Sequence, residues 1–374
     1  MLKTSIHLLF IYILFFICSI VFSILINGLF LKFVKTLGIR NPDDGTVIRW
    51  GSQSKPALGG ISFYIIFLFS IAGYTIMVNS DLIANNKQFL GLLMSTTVGF
   101  LMGLADDAYN TNPLLKFLAQ ILCGLILVST GTYIHLFSQD SLNYLFTVVW
   151  VVGIMNSINM LDNMDGITTT VSISIILSVL SLLCIKSNFT NINFIVLLGV
   201  LASLIGFLFY NWHPSKIYMG DTGSQFLGIF LAAIGIIYFW NDILIANFSM
   251  KFNLRKIIVP LLVFIMPIVD TTVVVINRIS KGQSPFIGGK DHTTHRLAYL
   301  GLSDRQVAVV FFTISIISSG LVVFIHNYIS AWSYWISIFF VSYFLTVLII
   351  FLYISRLTNK DILIPDASIN KISL

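Results

Sequence analysis

Apolar stretches near the length of a bilayer crossing recur along the whole chain. They fall at about 7–31, 57–79, 88–105, 116–134, 143–161, 166–185, 192–210, 223–240, 257–277, 307–326 and 333–355. A helix needs about 20 such residues to cross the hydrocarbon core, so the pattern predicts an all-α polytopic membrane protein with about eleven transmembrane helices. Only the polar knot Asp162-Asn163-Met164-Asp165 separates the fifth run from the sixth. The first run exceeds the roughly 7–15 residues of a signal-peptide core and has no small-residue cleavage site, which predicts a retained helix. One transmembrane unit is expected over 1–355, with a polar cytoplasmic tail over 356–374.

Composition sharpens this picture. The 374 residues are 57% apolar and 10% charged, against about 25% charged in a soluble domain, and the mean hydropathy is +0.94. Of the 21 Lys and Arg residues, fifteen fall on the side of the 32–56 loop and six on the other. The positive-inside rule then predicts an outside N-terminus and a cytoplasmic C-terminus, with the 251–256 cluster as the contrary feature. Cys18, Cys123 and Cys184 lie in apolar runs at no metal-ligand spacing and are expected to be small buried residues without disulfides.

All 15 acidic residues are Asp. Asp106, Asp107, Asp162, Asp165, Asp221, Asp270, Asp291 and Asp304 gather at the predicted cytoplasmic rim, whereas Asp81, Asp140 and Asp242 fall outside. A transporter would spread ionisable groups through the depth of the bilayer. In that direction the chain offers only Pro260, Pro267 and Asp270 in the ninth run. A one-sided ring of carboxylates instead predicts chemistry on a cation or a phosphoryl group at one membrane face.

Five segments supply that ring. Lys55-Pro56-Ala57-Leu58-Gly59-Gly60 opens a helix with two glycines, which permit close backbone approach. Asp106-Asp107 closes the third run and suits Mg²⁺, which takes one or two carboxylates plus waters and substrate phosphates. Pro113 starts the next helix, and Lys116 in its first turn opposes the helix dipole, so it requires an anionic partner. Asn156, Asn159, Asp162 and Asp165 recur every three residues as a polar stripe at a helix end. Asn211 to Ser224 brings aromatics, glycines, Asp221 and hydroxyls to a short loop entering the eighth helix. The 278–306 loop holds Asp291-His292-Thr293-Thr294-His295-Arg296. Its two histidines lack the further ligands of a zinc site and fit diphosphate binding better.

Taken in order, these segments resemble the polyprenyl-phosphate N-acetylhexosamine-1-phosphate transferases, bacterial glycosyltransferase family 4, over about residues 30–305. The resemblance implies transfer of a sugar-1-phosphate from a UDP-N-acetylhexosamine to undecaprenyl phosphate, with release of UMP. It also implies a requirement for Mg²⁺ (Mn²⁺ substituting), the bacterial inner membrane as location, and a homodimer, for which the chain shows no clear signature. By resemblance Asp221 is the metal ligand, Asp106 and Asp107 adjoin the prenyl phosphate, and Lys116 holds phosphate. Asn159, Asp162, Asn211 and Tyr218 match positions lining the uridine pocket, with Lys55 and Asn156 as further substrate contacts. Asp165, His292 and His295 are expected in catalysis, with Arg296 beside the diphosphate on the cytoplasmic arm.

Two positions depart from the family pattern. Asn163 stands where the family has glycine, and since Asn accepts left-handed backbone the turn is expected to survive. Tyr218 stands where Phe is commoner, which keeps an aromatic face. Arg278 with Gly282-Gln283-Ser284-Pro285-Phe286 before the histidines resembles the WecA/TagO branch, whose donor is commonly UDP-GlcNAc. The MraY branch, which uses a UDP-MurNAc-pentapeptide, is the alternative, and another UDP-N-acetylhexosamine a further one.

Overall fold

The computed structural model describes residues 2–37, 55–77, 86–241, 254–284, 289 and 291–361. The helices among them are α1 (Leu2–Leu37), α2 (Gly59–Met77), α3 (Lys87–Tyr109), α4 (Pro113–Ser129), α5 (Asp140–Leu161), α6 (Ile167–Ile185), α7 (Ile192–Asn211) and α8 (Gly220–Gly235). After α8 a π-helical turn, Ile236–Trp240, leads on to α9 (Arg255–Val263), α10 (Ile265–Ser280), α11 (Thr293–Tyr299), α12 (Asp304–Tyr328) and α13 (Tyr334–Asp361). The protein is an all-α, multi-pass membrane protein. Parts of the 32–54 and 251–256 basic stretches, Pro285 and Phe286, and residues 362–374 of the tail lie outside the described residues.

Each of the eleven apolar runs has a helical counterpart, but nine helices among the described residues are long and apolar enough to cross a membrane singly. The fourth run yields only the 17 residues of α4. Gly131, at φ +85, ends it, and the run continues as non-helical chain in which Ile134 is still fully buried. The ninth run is broken into α9 and α10, which meet at 85°. Pro267 lacks the N–H that would bond to the carbonyl four residues back and its ring crowds that carbonyl, so the helix yields at Phe264. At the other end of the chain α13 continues through Asp361, so the expected tail begins as helix.

The bundle is centred on α8. Along its apolar stretch 89% of residues are buried, against 22% for α1 and for α13. Phe226 and Phe230 of α8 pack against Phe67 of α2, and Trp150 of α5 donates to the Ala232 carbonyl at 3.1 Å. A helix apolar all round is either central or lipid-facing. The peripheral α1, α4 and α13 accordingly turn Leu14, Leu118, Leu122 and Phe339 outward. Cys123 is buried, but Cys18 and Cys184 sit on the outer surface, contrary to expectation, because a lipid-facing position suits a small apolar residue as well as a core position does.

At one end of the bundle the N-terminus of α8 meets the ends of α2 and α3 backbone to backbone. A Cβ on Gly60 would overlap the Gly223 nitrogen, and one on Gly103 would overlap the Asp221 carbonyl. A short parallel bridge joins Ala57 to Tyr218. Gly59 N–H bonds the Tyr218 carbonyl at 3.2 Å and Gly60 N–H the Met219 carbonyl at 3.1 Å. This contact brings the segments singled out above to one face.

Candidate active site

The C-terminus of α3, the start of α4 and the start of α8 hold the first group of side chains. Asn110, left-handed at φ 50, stops α3, and Asn112 caps α4 by accepting from Leu114 N–H at 2.9 Å. The three-residue gap folds Thr111 back, so that Asp106 Oδ1 accepts from its N–H at 2.9 Å and its hydroxyl at 2.6 Å. The anion required beside Lys116 is supplied twice. Its Nζ lies 2.9 Å from Asp106 Oδ2 and 2.9 Å from Asp221 Oδ1. Asn159, at the end of α5, donates to the same Asp221 oxygen and, at 2.8 Å, to Ser224 Oγ.

Asp107 points differently from its neighbour. Its Oδ1 accepts from Asp221 N–H at 3.0 Å, and its Oδ2 from Thr222 N–H at 2.8 Å and Thr222 Oγ at 2.6 Å. It thus satisfies the otherwise orphaned donors of the α8 N-terminus and faces the positive end of that helix.

A second group lies on the 211–218 loop. Both oxygens of Asp165 are engaged by this loop, Oδ1 by Ser215 Oγ at 2.7 Å and Oδ2 by Ser215 N–H at 2.9 Å and His213 Nδ1 at 3.1 Å. Asp304, in the first turn of α12, stands 3.3 Å from the same His213 nitrogen, and Arg305 donates to the His213 carbonyl at 2.9 Å. Lys55 Nζ is 3.1 Å from Ser215 Oγ, 3.9 Å from Asp165, and 5.1 Å from the centre of the Tyr218 ring. That ring is half-buried beside a cation, which suits a planar aromatic ligand.

Two of the expected substrate contacts are occupied within the protein. Asn211, only 3% exposed, accepts from Gly166 N–H at 3.1 Å and Thr169 Oγ at 2.9 Å and donates to the Ile217 carbonyl at 3.1 Å. It shapes the loop that presents Tyr218. Asn156 exchanges hydrogen bonds with Gln120, which also reaches Gln225, so these three amides join α4, α5 and α8.

The third group is the histidine segment. His292 Nδ1 lies 3.2 Å from Asp270 Oδ2, and Thr293 donates to the other oxygen of Asp270 through N–H and hydroxyl. Arg278 grips Asp291 with two bonds of 2.7 and 2.8 Å. Burial opposes ionisation of Asp291, but this guanidinium fork holds its carboxyl below the usual range. His292, His295 and Arg296 are all buried on or beside α11. Asn163 accepts from Thr294 Oγ at 2.6 Å, which joins this segment to the 162–166 turn. The expected left-handed conformation belongs not to Asn163 but to Gly166, at φ +74. Sequence reading gave no individual role to Thr111, Thr222 or Ser215, whose signals were single hydroxyls in turns, and placed Asp304 at the rim without a partner.

Between these groups lies Asp162, the residue that ends α5. Burial, with the negative charges of Asp221, Asp107 and Asp165 around it, pushes its carboxyl up to about 8. Four carboxylates, Asp107, Asp162, Asp165 and Asp221, thus crowd this spot. The Asp221 side chain, on the first turn of α8, is still 32% exposed after its bonds to Lys116 and Asn159. This donor set of hard oxygens, short of positive charge and open on one side, fits a Mg²⁺ ion that completes its shell with water and substrate phosphates.

A model of glycosyl transferase family 4 matches residues 89–239, the span from α3 through the turn after α8. A probable undecaprenyl-phosphate N-acetylglucosaminyl 1-phosphate transferase of Bacillus subtilis is 33% identical over 273 residues, covering 71% of each chain. A decaprenyl-phosphate N-acetylglucosaminephosphotransferase of Mycolicibacterium smegmatis is 26% identical, over 72% of this chain and 71% of its own. A phospho-N-acetylmuramoyl-pentapeptide-transferase of Streptococcus agalactiae is 28% identical, over 55% of this chain and 67% of its own.

Proposed function

The chain belongs to glycosyl transferase family 4, and from that membership we propose that it transfers N-acetylhexosamine-1-phosphate, in the first place GlcNAc-1-phosphate, from the UDP-sugar to undecaprenyl phosphate. An acceptor phosphate oxygen bonds to the sugar-bearing phosphorus, the bond from that phosphorus to the UMP oxygen breaks, and UMP leaves. The product is an undecaprenyl-diphosphate-linked sugar that starts a cell-envelope polysaccharide. The observation that supports this most directly is Lys116 bridging Asp106 and Asp221 at 2.9 Å each, a cation set between carboxylates at one rim of the bundle.

Two polyanions must meet here, so the work is positioning and charge neutralisation. A Mg²⁺ ion on Asp221 would neutralise the diphosphate and the departing UMP. Lys116 supplies the fixed positive charge for phosphate and is itself oriented by the two aspartates. Asp107 fixes the first turn of α8 and with it the direction of Asp221. Tyr218 and Lys55 offer the nucleoside base a ring and a cation, on a loop anchored by Asp165 and Asn211. Arg296 brings further positive charge to the diphosphate, and His292, oriented by Asp270, offers it a ring nitrogen. A phosphate monoester is largely ionised at neutral pH, so the acceptor needs no strong base. The Lys and Arg asymmetry supports a cytoplasmic active face in the bacterial inner membrane, with the N-terminus outside. The match to the pentapeptide transferase, which covers less of the chain than the glucosaminyl enzymes do, keeps that donor as the second reading.

The test is UMP release by the purified protein with undecaprenyl phosphate, Mg²⁺ and a panel of UDP-sugars. Release with UDP-GlcNAc, abolished by EDTA and by Asp221→Asn, is the expected result. Release with a different UDP-N-acetylhexosamine, or with the pentapeptide donor alone, keeps the reaction and changes the donor. No release with any donor, from folded protein, discards the proposal.

A further inference from the structure

The turn after α5 contains one residue whose chemistry the reaction above does not use. Asn163 is not in the left-handed region, so its side chain is no conformational concession at a glycine position. Both ends of its amide are employed. Nδ2 donates to the Met160 carbonyl at 2.8 Å, which fixes the side chain against the last turn of α5. Oδ1, thereby aimed away from α5, accepts from Thr294 Oγ at 2.6 Å. Thr294 is fully buried in the first turn of α11, between His292 and His295 in sequence.

Two other anchors of this segment lead to α10. Asp270 holds His292 and Thr293, and Arg278 holds Asp291, and both partners belong to α10. The Asn163–Thr294 bond instead ties α11 to the turn that carries Asp162 and Asp165. A seven-residue helix is too short to hold itself in place, so its position depends on such ties.

We propose that Asn163 is a positioning residue, which by accepting from Thr294 sets the histidine segment in register with the Asp162 turn before substrate arrives. The proposal rests on the transferase reading of the site. It assigns to this chain a side-chain connection that a glycine at position 163 cannot make. The amide and the hydroxyl act as one device, each without purpose once the other is gone. Burial of Thr294 strengthens the case, since its hydroxyl left alone would be an unsatisfied polar group away from water.

The test compares Asn163→Gly, Thr294→Val, Thr294→Ser and the Asn163→Gly/Thr294→Val double variant. Loss of one neutral hydrogen bond is expected to lower kcat for UMP release about two- to tenfold, with KM for the UDP-sugar nearly unchanged. The double variant is expected to fall no further than the worse single one, and Thr294→Ser, which keeps the hydroxyl, to recover most of the rate. Hydrogen exchange gives a readout that needs no activity. Amides of 293–299 are expected to lose protection in Asn163→Gly and Thr294→Val and to keep it in Thr294→Ser. Unchanged protection in the first two variants, or rate losses that multiply in the double variant, overturns the proposal. If the unmodified protein releases no UMP with any donor, the transferase reading fails, and the exchange experiment still decides whether Asn163 holds Thr294.

Discussion

Asp107 accepts hydrogen bonds from the backbone N–H groups of Asp221 at 3.0 Å and of Thr222 at 2.8 Å, so the second aspartate of the pair caps the helix that presents the proposed metal ligand. Adjacent in sequence, Asp106 and Asp107 thus have separate duties. One engages Lys116, while the other orients α8.

Asp107→Ala is therefore expected to destabilise the protein even without substrate. Loss of a helix N-cap costs about 1 kcal/mol, and here it also strands a hydroxyl and two N–H groups. A thermal-shift assay in detergent should give a lower Tm for this variant, along with loss of UMP release.

Lys116→Gln removes the positive charge between Asp106 and Asp221. With one fixed transition-state charge gone, kcat is expected to fall by about 10²-fold or more, and Lys116→Arg to recover only part of it. Single-turnover UMP release measures this. A rate within about twofold of the unmodified protein would remove Lys116 from the phosphate site.

Asp162 provides a pH signature. Its carboxyl, at about 8, binds a proton more tightly than in the unfolded chain, where the value is about 4. Its contribution to stability is thus full below about pH 4 and is lost as the pH rises through about 8. With EDTA present, the Tm of the unmodified protein should decline between pH 5 and pH 9 by several degrees more than that of Asp162→Asn. Parallel curves would show that Asp162 is ionised at neutral pH.

Ser215→Ala removes the hydroxyl that bonds Asp165 and Lys55. The 211–218 loop then holds Tyr218 less firmly, and KM for the UDP-sugar is expected to rise about two- to tenfold with a smaller change in kcat. Steady-state kinetics across donor concentrations separate the two effects.

How far these features were legible in the sequence depends on the distance over which each is determined. Each of the eleven apolar runs has a helical counterpart, the ninth as two helices, because lipid and core both demand apolar side chains and the backbone must satisfy itself within the helix. The 85° break at Phe264 was foreshadowed by Pro260 and Pro267, but its size depends on what packs around it. Lys116 in a helix first turn announced an anionic partner, because the dipole made it costly otherwise. Nothing local distinguished Asp106 from Asp107, since the difference lies in an α8 terminus more than a hundred residues away. The partners that Asn156 finds within the protein were hidden for the same reason: an amide on an apolar helix declares a need for partners without naming them.

The glycine junction where α2 and α3 meet α8 has a genetic consequence. Gly60, Gly103 and Gly223 contribute no functional group, and their part is to let three backbones occupy space that side chains would fill. Replacing any of them with alanine lifts the start of α8 and carries Asp221 away from Lys116 while every reactive side chain remains present. In a random mutant library, inactive clones should therefore cluster at these chemically silent glycines as densely as at the aspartates.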